Sequence, residues 1–224
     1  MNWQQFWDKQ GEDKVAALQV ARVLNGQAID PSLVEKIATK ISLQLELKNH
    51  ETLLDVCCGN GQLSKLLLLH CTSVYGVDFS EQLILHARKL HEPNLQFYCA
   101  SADRFGLNQE FDKVVLYFSF QYFESYEMGK DVIKNLLKHA RPGALLLIGD
   151  IPDKRKFFTY YNSPKKLLSY YKQVFKGTNN MGKFWHPNEL HMICQELEVI
   201  GAPMEQEAWQ PYSHYRFDYL IKKP

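Results

Sequence analysis

The sequence lacks every stretch that would carry it out of the aqueous, globular class. Its longest uninterrupted apolar runs, such as Leu66–Leu69 and Ala144–Ile148, fall far short of the roughly 18 residues that a membrane-spanning helix needs, so no integral membrane segment is expected. The amino-terminal MNWQQFWDKQGEDK has no basic region followed by an apolar stretch. No secretory signal is therefore expected, and the cytoplasm is the expected location. The five cysteines, at 57, 58, 71, 99 and 194, contain no Cys-x-x-Cys pair, which argues against a disulfide framework and a zinc site. Neither sign of charge is in excess. With 26 basic and 25 acidic side chains the net charge is +1, and no overall field favours duplex nucleic acid or an anionic bilayer as partner. Glycine and proline, 12 and 9 in 224 residues, stay at ordinary levels, which removes collagen-like and low-complexity classes. What is there, 46% apolar and 23% charged, buries a core, and the length suits one domain with a small elaboration.

Periodicity divides the chain into four parts. Over residues 1–50 the pattern is helical. Val15, Leu18, Val20 and Leu24 suit a helix from Lys14 to Leu24 ended by Gly26, and Asp30-Pro31 starts another with Leu33, Ile37, Ile41 and Leu45 on one face. Over 51–150, short β-rich runs (TLLDVC, SVYGVD, LQFYC, FDKVVLYF, ALLLIGD) alternate with amphipathic helices at 61–70, 80–90 and 125–140. Continuous apolar strands between helices predict a doubly wound, mostly parallel sheet covered on both faces, with ligands at the strands' carboxyl ends. Residues 151–187 are aromatic-rich and of mixed pattern, an insertion after the fifth strand. Residues 188–224 read as a helix over 188–198 and a terminal hairpin of two strands near 198–207 and 215–222.

The first strand runs into Asp55-Val56-Cys57-Cys58-Gly59-Asn60-Gly61 and then a helix. Gly59 and Gly61 let the backbone approach a ligand, and the helix start offers free N–H groups. Seventeen residues past Gly61 the second strand ends at Asp78, where a carboxylate can accept both hydroxyls of a ribose. An adenosine-containing ligand is implied. A pyrophosphate prefers G-x-G-x-x-G, which Gly59, Gly61 and Ser64 only approximate. Asp55, if it points into the pocket, repels pyrophosphate and attracts the ammonium of a methionine moiety. S-adenosylmethionine fits better than a nicotinamide cofactor.

At these residues the chain resembles the class I S-adenosylmethionine-dependent methyltransferases, over roughly 51–150. The resemblance implies a Rossmann-like methyltransferase fold with seven strands, amino-terminal helices and a cap after the fifth strand. The family's acid-x-G-x-G-x-G reads here with Cys57 at the first glycine position. Carried across, Asp78 with the adjoining Phe79 holds the ribose side, Ser101-Ala102-Asp103 the adenine edge with Asp103 replacing the usual acid, and Tyr117-Phe118 the cofactor-facing loop after the fourth strand. Arg22, on an amino-terminal helix, is placed to meet the methionine carboxylate. No Asn-Pro-Pro-Tyr type of sequence follows the fourth strand and no Pro-Cys occurs, so the family's nucleic-acid signatures are missing. A small molecule is the expected acceptor, methylated on oxygen or nitrogen.

Near the fifth strand only Asp150 and Asp153 offer clustered oxygens, so no metal is expected. Candidate general bases are Asp150, His186 before the penultimate helix, and His214 at the hairpin tip. The 151–187 segment holds eight Lys and Arg against Asp153 alone, interleaved with aromatics. Two readings stand: a cap with a solvated basic face, or a lid selecting an anionic, possibly sugar-related acceptor. Two rival functions remain, a nicotinamide oxidoreductase and a non-catalytic S-adenosylmethionine-binding module.

Overall fold

The computed structural model describes residues 1–24 and 27–224. Its centre is a seven-stranded sheet of β1 (Thr52–Val56), β2 (Ser73–Asp78), β3 (Leu95–Cys99), β4 (Phe111–Tyr117), β5 (Ala140–Pro152), β6 (Ile200–Glu205) and β7 (Arg216–Lys222). Across the sheet the order is β3-β2-β1-β4-β5-β7-β6. The first five strands are mutually parallel, and β7 runs antiparallel between β5 and β6. The strand order reverses between β1 and β4, so their carboxyl ends diverge and open a crevice.

Both faces are covered, which is why the strands read as continuous apolar runs. Residues alternate between two cores with the two-residue period of a strand. Leu53, Val115 and Leu147 point to one face, against Ile37 and Ile41 of α3 (Pro31–Gln44), Leu67 of α4 (Gln62–Leu67) and Ile84 of α5 (Glu81–Ala87). Leu54, Val114 and Leu146 point to the other, against Ile133 and Leu136 of α6 (Tyr126–Lys138) and Ile193 of α9 (Pro187–Glu196). The α3 helix starts where its sequence directs: Asp30 accepts a hydrogen bond from Ser32 N at 2.8 Å, and Pro31 occupies the first turn.

The amino-terminal expectation is corrected. In place of a helix over 14–24 there is α1 (Trp3–Gln10), a single turn α2 (Ala16–Gln19), and a ribbon pairing Val23–Leu24 with Gln27–Ala28. Gly26, the expected terminator, lies outside the described residues. The helix stops because Ala21 turns left-handed at φ 49, and tertiary contacts favour the break. The Asn60 side chain donates to Ala16 O at 2.8 Å and to Gln19 Oε1 at 2.9 Å, docking this segment on the loop after β1. Such anchoring outweighs the few tenths of a kcal/mol per residue of helix propensity.

The segment after β5 forms α7 (Phe157–Tyr160) and α8 (Pro164–Phe175). Tyr161 and Phe184 pack on Tyr215 in a third, smaller aromatic cluster at the start of β7. Among the described residues no helix is long and apolar enough to cross a membrane.

Candidate active site

A cavity of about 590 Å³ opens at the carboxyl ends of β1, β2, β4 and β5, lined among others by Gly59, Asp78, Phe118, Tyr122, Asp150 and Arg216. Two strand ends and the irregularity near the end of β5 are held in left-handed backbone by residues other than glycine: Cys57 at φ 60, Phe118 at φ 71 and Asp150 at φ 60. All three line the cavity, a clustering of strained backbone that functional sites show. Cys57 thus adopts the left-handed conformation at a position where a glycine would adopt it freely.

Asp78 is buried, and its two oxygens accept from Gly59 N and Ser80 N, each at 2.9 Å. Burial pushes its carboxyl up to about 6 against the pull of those backbone hydrogen bonds. Phe79, Leu83, Ser101 and Ala102 line the cavity beside it. Asp103 does not: it pairs with the Ser101 hydroxyl and faces Arg104 on the surface.

Asp55 is also placed differently from expectation. It sits beneath the loop, outside the cavity lining, and accepts from Ser64 Oγ at 2.5 Å. Burial raises it to about 7, opposed by that hydrogen bond and by the Arg22 guanidinium. Through that bond Asp55 braces the glycine loop from below. Gly61 turns away as well: at φ 76, a Cβ added there would lie 2.5 Å from the Phe97 ring, in the core. Gly59 faces the amino-terminal segment, where an added Cβ would lie 2.7 Å from Val20 Cγ1. Arg22 lines the cavity with its guanidinium 5.0 Å from the centre of the Phe118 ring. Its buried Nε has no hydrogen-bond partner among the described residues, and burial brings its pKa down to about 10.

At the other end, Arg216 Nη1 donates to Asp150 Oδ2 and to Asp150 O, both at 2.7 Å. Asp150 N donates to Asp218 Oδ1 at 2.9 Å. Burial pushes Asp150 above the usual carboxylate range, and Arg216 opposes it. Tyr117, in the lining, donates its hydroxyl toward the buried Asp218 at 3.3 Å.

Neither histidine joins this group. His186 caps α9, its Nδ1 accepting from Asn188 N at 3.1 Å, and His214 stands exposed beside the Tyr215 ring. The basic cap residues also stay out of the lining, to which residues 151–187 contribute Tyr160, Asn180 and Met181. Arg155 pairs with Asp153 at 2.7 Å, and Lys183 pairs with Glu189 at 2.6 Å. The solvated-face reading of these charges is the one the geometry favours. The residue that sequence reasoning missed is Arg216, and its signal was visible: one arginine beginning the apolar run Arg216-Phe217-Asp218-Tyr219-Leu220-Ile221 of a buried strand. Trp3 and Trp7 stand in the cavity wall beside Tyr122, because α1 meets the loop after β4 in three dimensions.

A doubly wound sheet with a glycine turn after its first strand and a buried acid ending the second defines a protein built around a nucleoside-containing ligand. The family model described as methyltransferase domain matches residues 53–143. A malonyl-[acyl-carrier protein] O-methyltransferase from Acetivibrio thermocellus is 31% identical over 159 residues, 69% of this chain and 54% of that protein. A ubiquinone biosynthesis O-methyltransferase from Coxiella burnetii is 29% identical, over 75% of this chain and 74% of its own length. The chain spans about half the length of the first of these relatives. In fold it is similar to the N-methyltransferase NodS from Bradyrhizobium japonicum solved with S-adenosyl-L-homocysteine, with TM-score 0.67, 14% identity and full coverage of both chains. Residues 53–143 belong to the methyltransferase-domain family, and the fold is that of the class I S-adenosylmethionine-dependent methyltransferases.

Proposed function

We propose that the protein transfers the methyl group of S-adenosylmethionine to a small-molecule acceptor. The observation that carries this reading is one continuous cavity with Asp78 and the glycine turn at one end and the Asp150–Arg216 pair at the other. The residues present suit the cofactor. Asp78, oriented by two backbone N–H groups, keeps lone pairs for the ribose hydroxyls. Phe79, Leu83 and Ala102 form an apolar slot for the adenine. The Nε of Arg22, without a hydrogen-bond partner among the described residues, suits the methionine carboxylate. When bound, the cofactor supplies a methyl carbon made electrophilic by its sulfonium. The chain aligns the acceptor with that carbon, with Tyr160 and Met181 of the 151–187 cap walling the acceptor's end, and excludes water.

The test is titration of the purified protein. S-adenosylhomocysteine at 100 times its Kd should stabilise the fold by about 2.7 kcal/mol, whereas NADH should leave the melting temperature unchanged. Stabilisation by NADH alone would return the protein to the oxidoreductases. Transfer of labelled methyl to a small-molecule acceptor separates an enzyme from a non-catalytic binding module.

A further inference from the structure

Among the described residues, the acceptor end of the cavity holds no idle base. Asp150 is locked to Arg216 at 2.7 Å and accepts from Gln206 Nε2 at 3.2 Å. The hydroxyls of Tyr160, Tyr212 and Tyr215 are raised above the ordinary phenol by burial. Among the described residues, no histidine lines the cavity. A neutral alcohol or a protonated amine must lose a proton to become methylated, and among the described residues this chamber has no free group to take it.

Donors, by contrast, are in surplus. Arg216 is 7% exposed and brings five N–H groups. Nη1 is matched by Asp150, Nη2 reaches the Met181 sulfur at 3.8 Å, and Nε has no hydrogen-bond partner among the described residues, with the Tyr215 hydroxyl near the guanidinium. Leaving that edge of a buried guanidinium unmatched is costly. The Nε–Nη2 edge is also one that takes a carboxylate side-on through two parallel N–H···O bonds. The rings of Tyr212 and Tyr215 lie 5.1 and 5.2 Å from the guanidinium carbon and wall the place where such a group would sit.

Resting on the methyl-transfer reading above, we propose that the acceptor is a small carboxylic acid whose carboxylate docks on the free edge of Arg216 and is itself methylated, giving a methyl ester. The step balances without a base. A carboxylate oxygen keeps a lone pair directed away from the guanidinium and forms the new bond to the methyl carbon. The bond from that carbon to sulfur breaks, and its electron pair stays on sulfur. An anion and a sulfonium become a neutral ester and a neutral thioether, and no proton moves. Asp150 is then a positioning residue that fixes the guanidinium through Nη1. A single guanidinium already half engaged suits a monoanion better than a phosphate dianion, and the cap lysines stand outside the lining.

The test begins with unmodified protein saturated with S-adenosylhomocysteine and a panel of small acids, benzoate, phenylacetate, cinnamate and octanoate, each set against its own primary amide. At least one acid should bind tenfold or more tightly than its amide by calorimetry. That preference should fall at least tenfold in Arg216→Lys and Arg216→Gln, with S-adenosylhomocysteine affinity retained. In turnover with a methyl-labelled donor, mild alkali should release the label as methanol, the signature of an ester. Equal binding of acids and amides, binding of neither, or alkali-stable label overturns the proposal. Loss of S-adenosylhomocysteine binding in the unmodified protein would instead overturn the reading beneath it.

Discussion

Replacing Cys57 by glycine should make the protein more stable than replacing it by alanine, the reverse of the usual order. Cys57 sits at φ 60, a conformation that costs an L-residue roughly 1–2 kcal/mol and glycine almost nothing. Alanine keeps that strain and glycine releases it. Against the gain stands the greater freedom of glycine in the unfolded chain, about 0.4–1 kcal/mol. Both variants lose the half-buried sulfur equally, so their difference isolates the backbone. The expected advantage of Cys57→Gly over Cys57→Ala is about 1 kcal/mol, or some 2–4 °C in melting temperature for a chain of this size. Cys99, at the end of β3, supplies the control. It is exposed and absent from the left-handed residues, so there Gly should fall below Ala by about 0.5–1 kcal/mol. Paired urea and thermal melts read both differences. If glycine is the worse substitute at position 57 as well, the left-handed turn is wrong and the loop after β1 has another shape.

Asp78→Ala should weaken S-adenosylhomocysteine binding on the order of ten- to a hundredfold, since hydrogen bonds to a charged group contribute about 1.5–3 kcal/mol each; unchanged calorimetric affinity removes Asp78 from the site. Asp55 and Asp78 have carboxyls raised from 3.8 to about 7 and about 6. The folded state therefore keeps protons that the unfolded chain releases, and the unliganded protein should lose stability as pH rises from about 4 to 7. Asp55→Asn should flatten that slope in melts taken across the range. Gly61→Val should act on folding, because its side chain meets Phe97 and Ala87 in the core; a soluble, fully stable variant would contradict the placement of the turn. Exchanging Lys165 and Lys166 for Gln should leave the acceptor's KM and its salt dependence unchanged, and a rise in KM would bring the exposed cap lysines back into the site.

The parallel core was legible because its strands are buried on both faces and bounded by helices. SVYGVD and LQFYC became β2 and β3 with the expected ends. Asp78 was legible for the same reason: a strand's carboxyl end fixes where its last side chain goes. Asp55 and Gly61 share the motif but not the cavity, since a turn that reverses the chain sends alternate residues to opposite sides. The sequence spacing alone does not say which side. The break at Ala21 was hidden because it depends on Asn60, some forty positions away. His186 drew notice as a titratable group, yet its reciprocal bonds with the first turn of α9 make it a helix cap.

The way residues 1–22 are fastened sets which part of the cavity wall gives way first. Their hold on the rest of the chain includes a handful of discrete polar contacts: Asn60 to Ala16 and Gln19, Ser80 Oγ to Asp8 at 2.6 Å, and His86 Nε2 with Gly11 O at 2.9 Å. The sheet, in contrast, is closed by two continuous apolar cores. Segments held in the first manner detach at far lower free energy than the global unfolding of the domain. Because Trp3, Trp7, Val20 and Arg22 form part of the cavity wall, detachment of this segment would open the cavity while the strands that carry Asp78 and Asp150 stay in register. Exchange of a ligand in that cavity is then expected to follow local opening of the first two dozen residues rather than unfolding of the sheet.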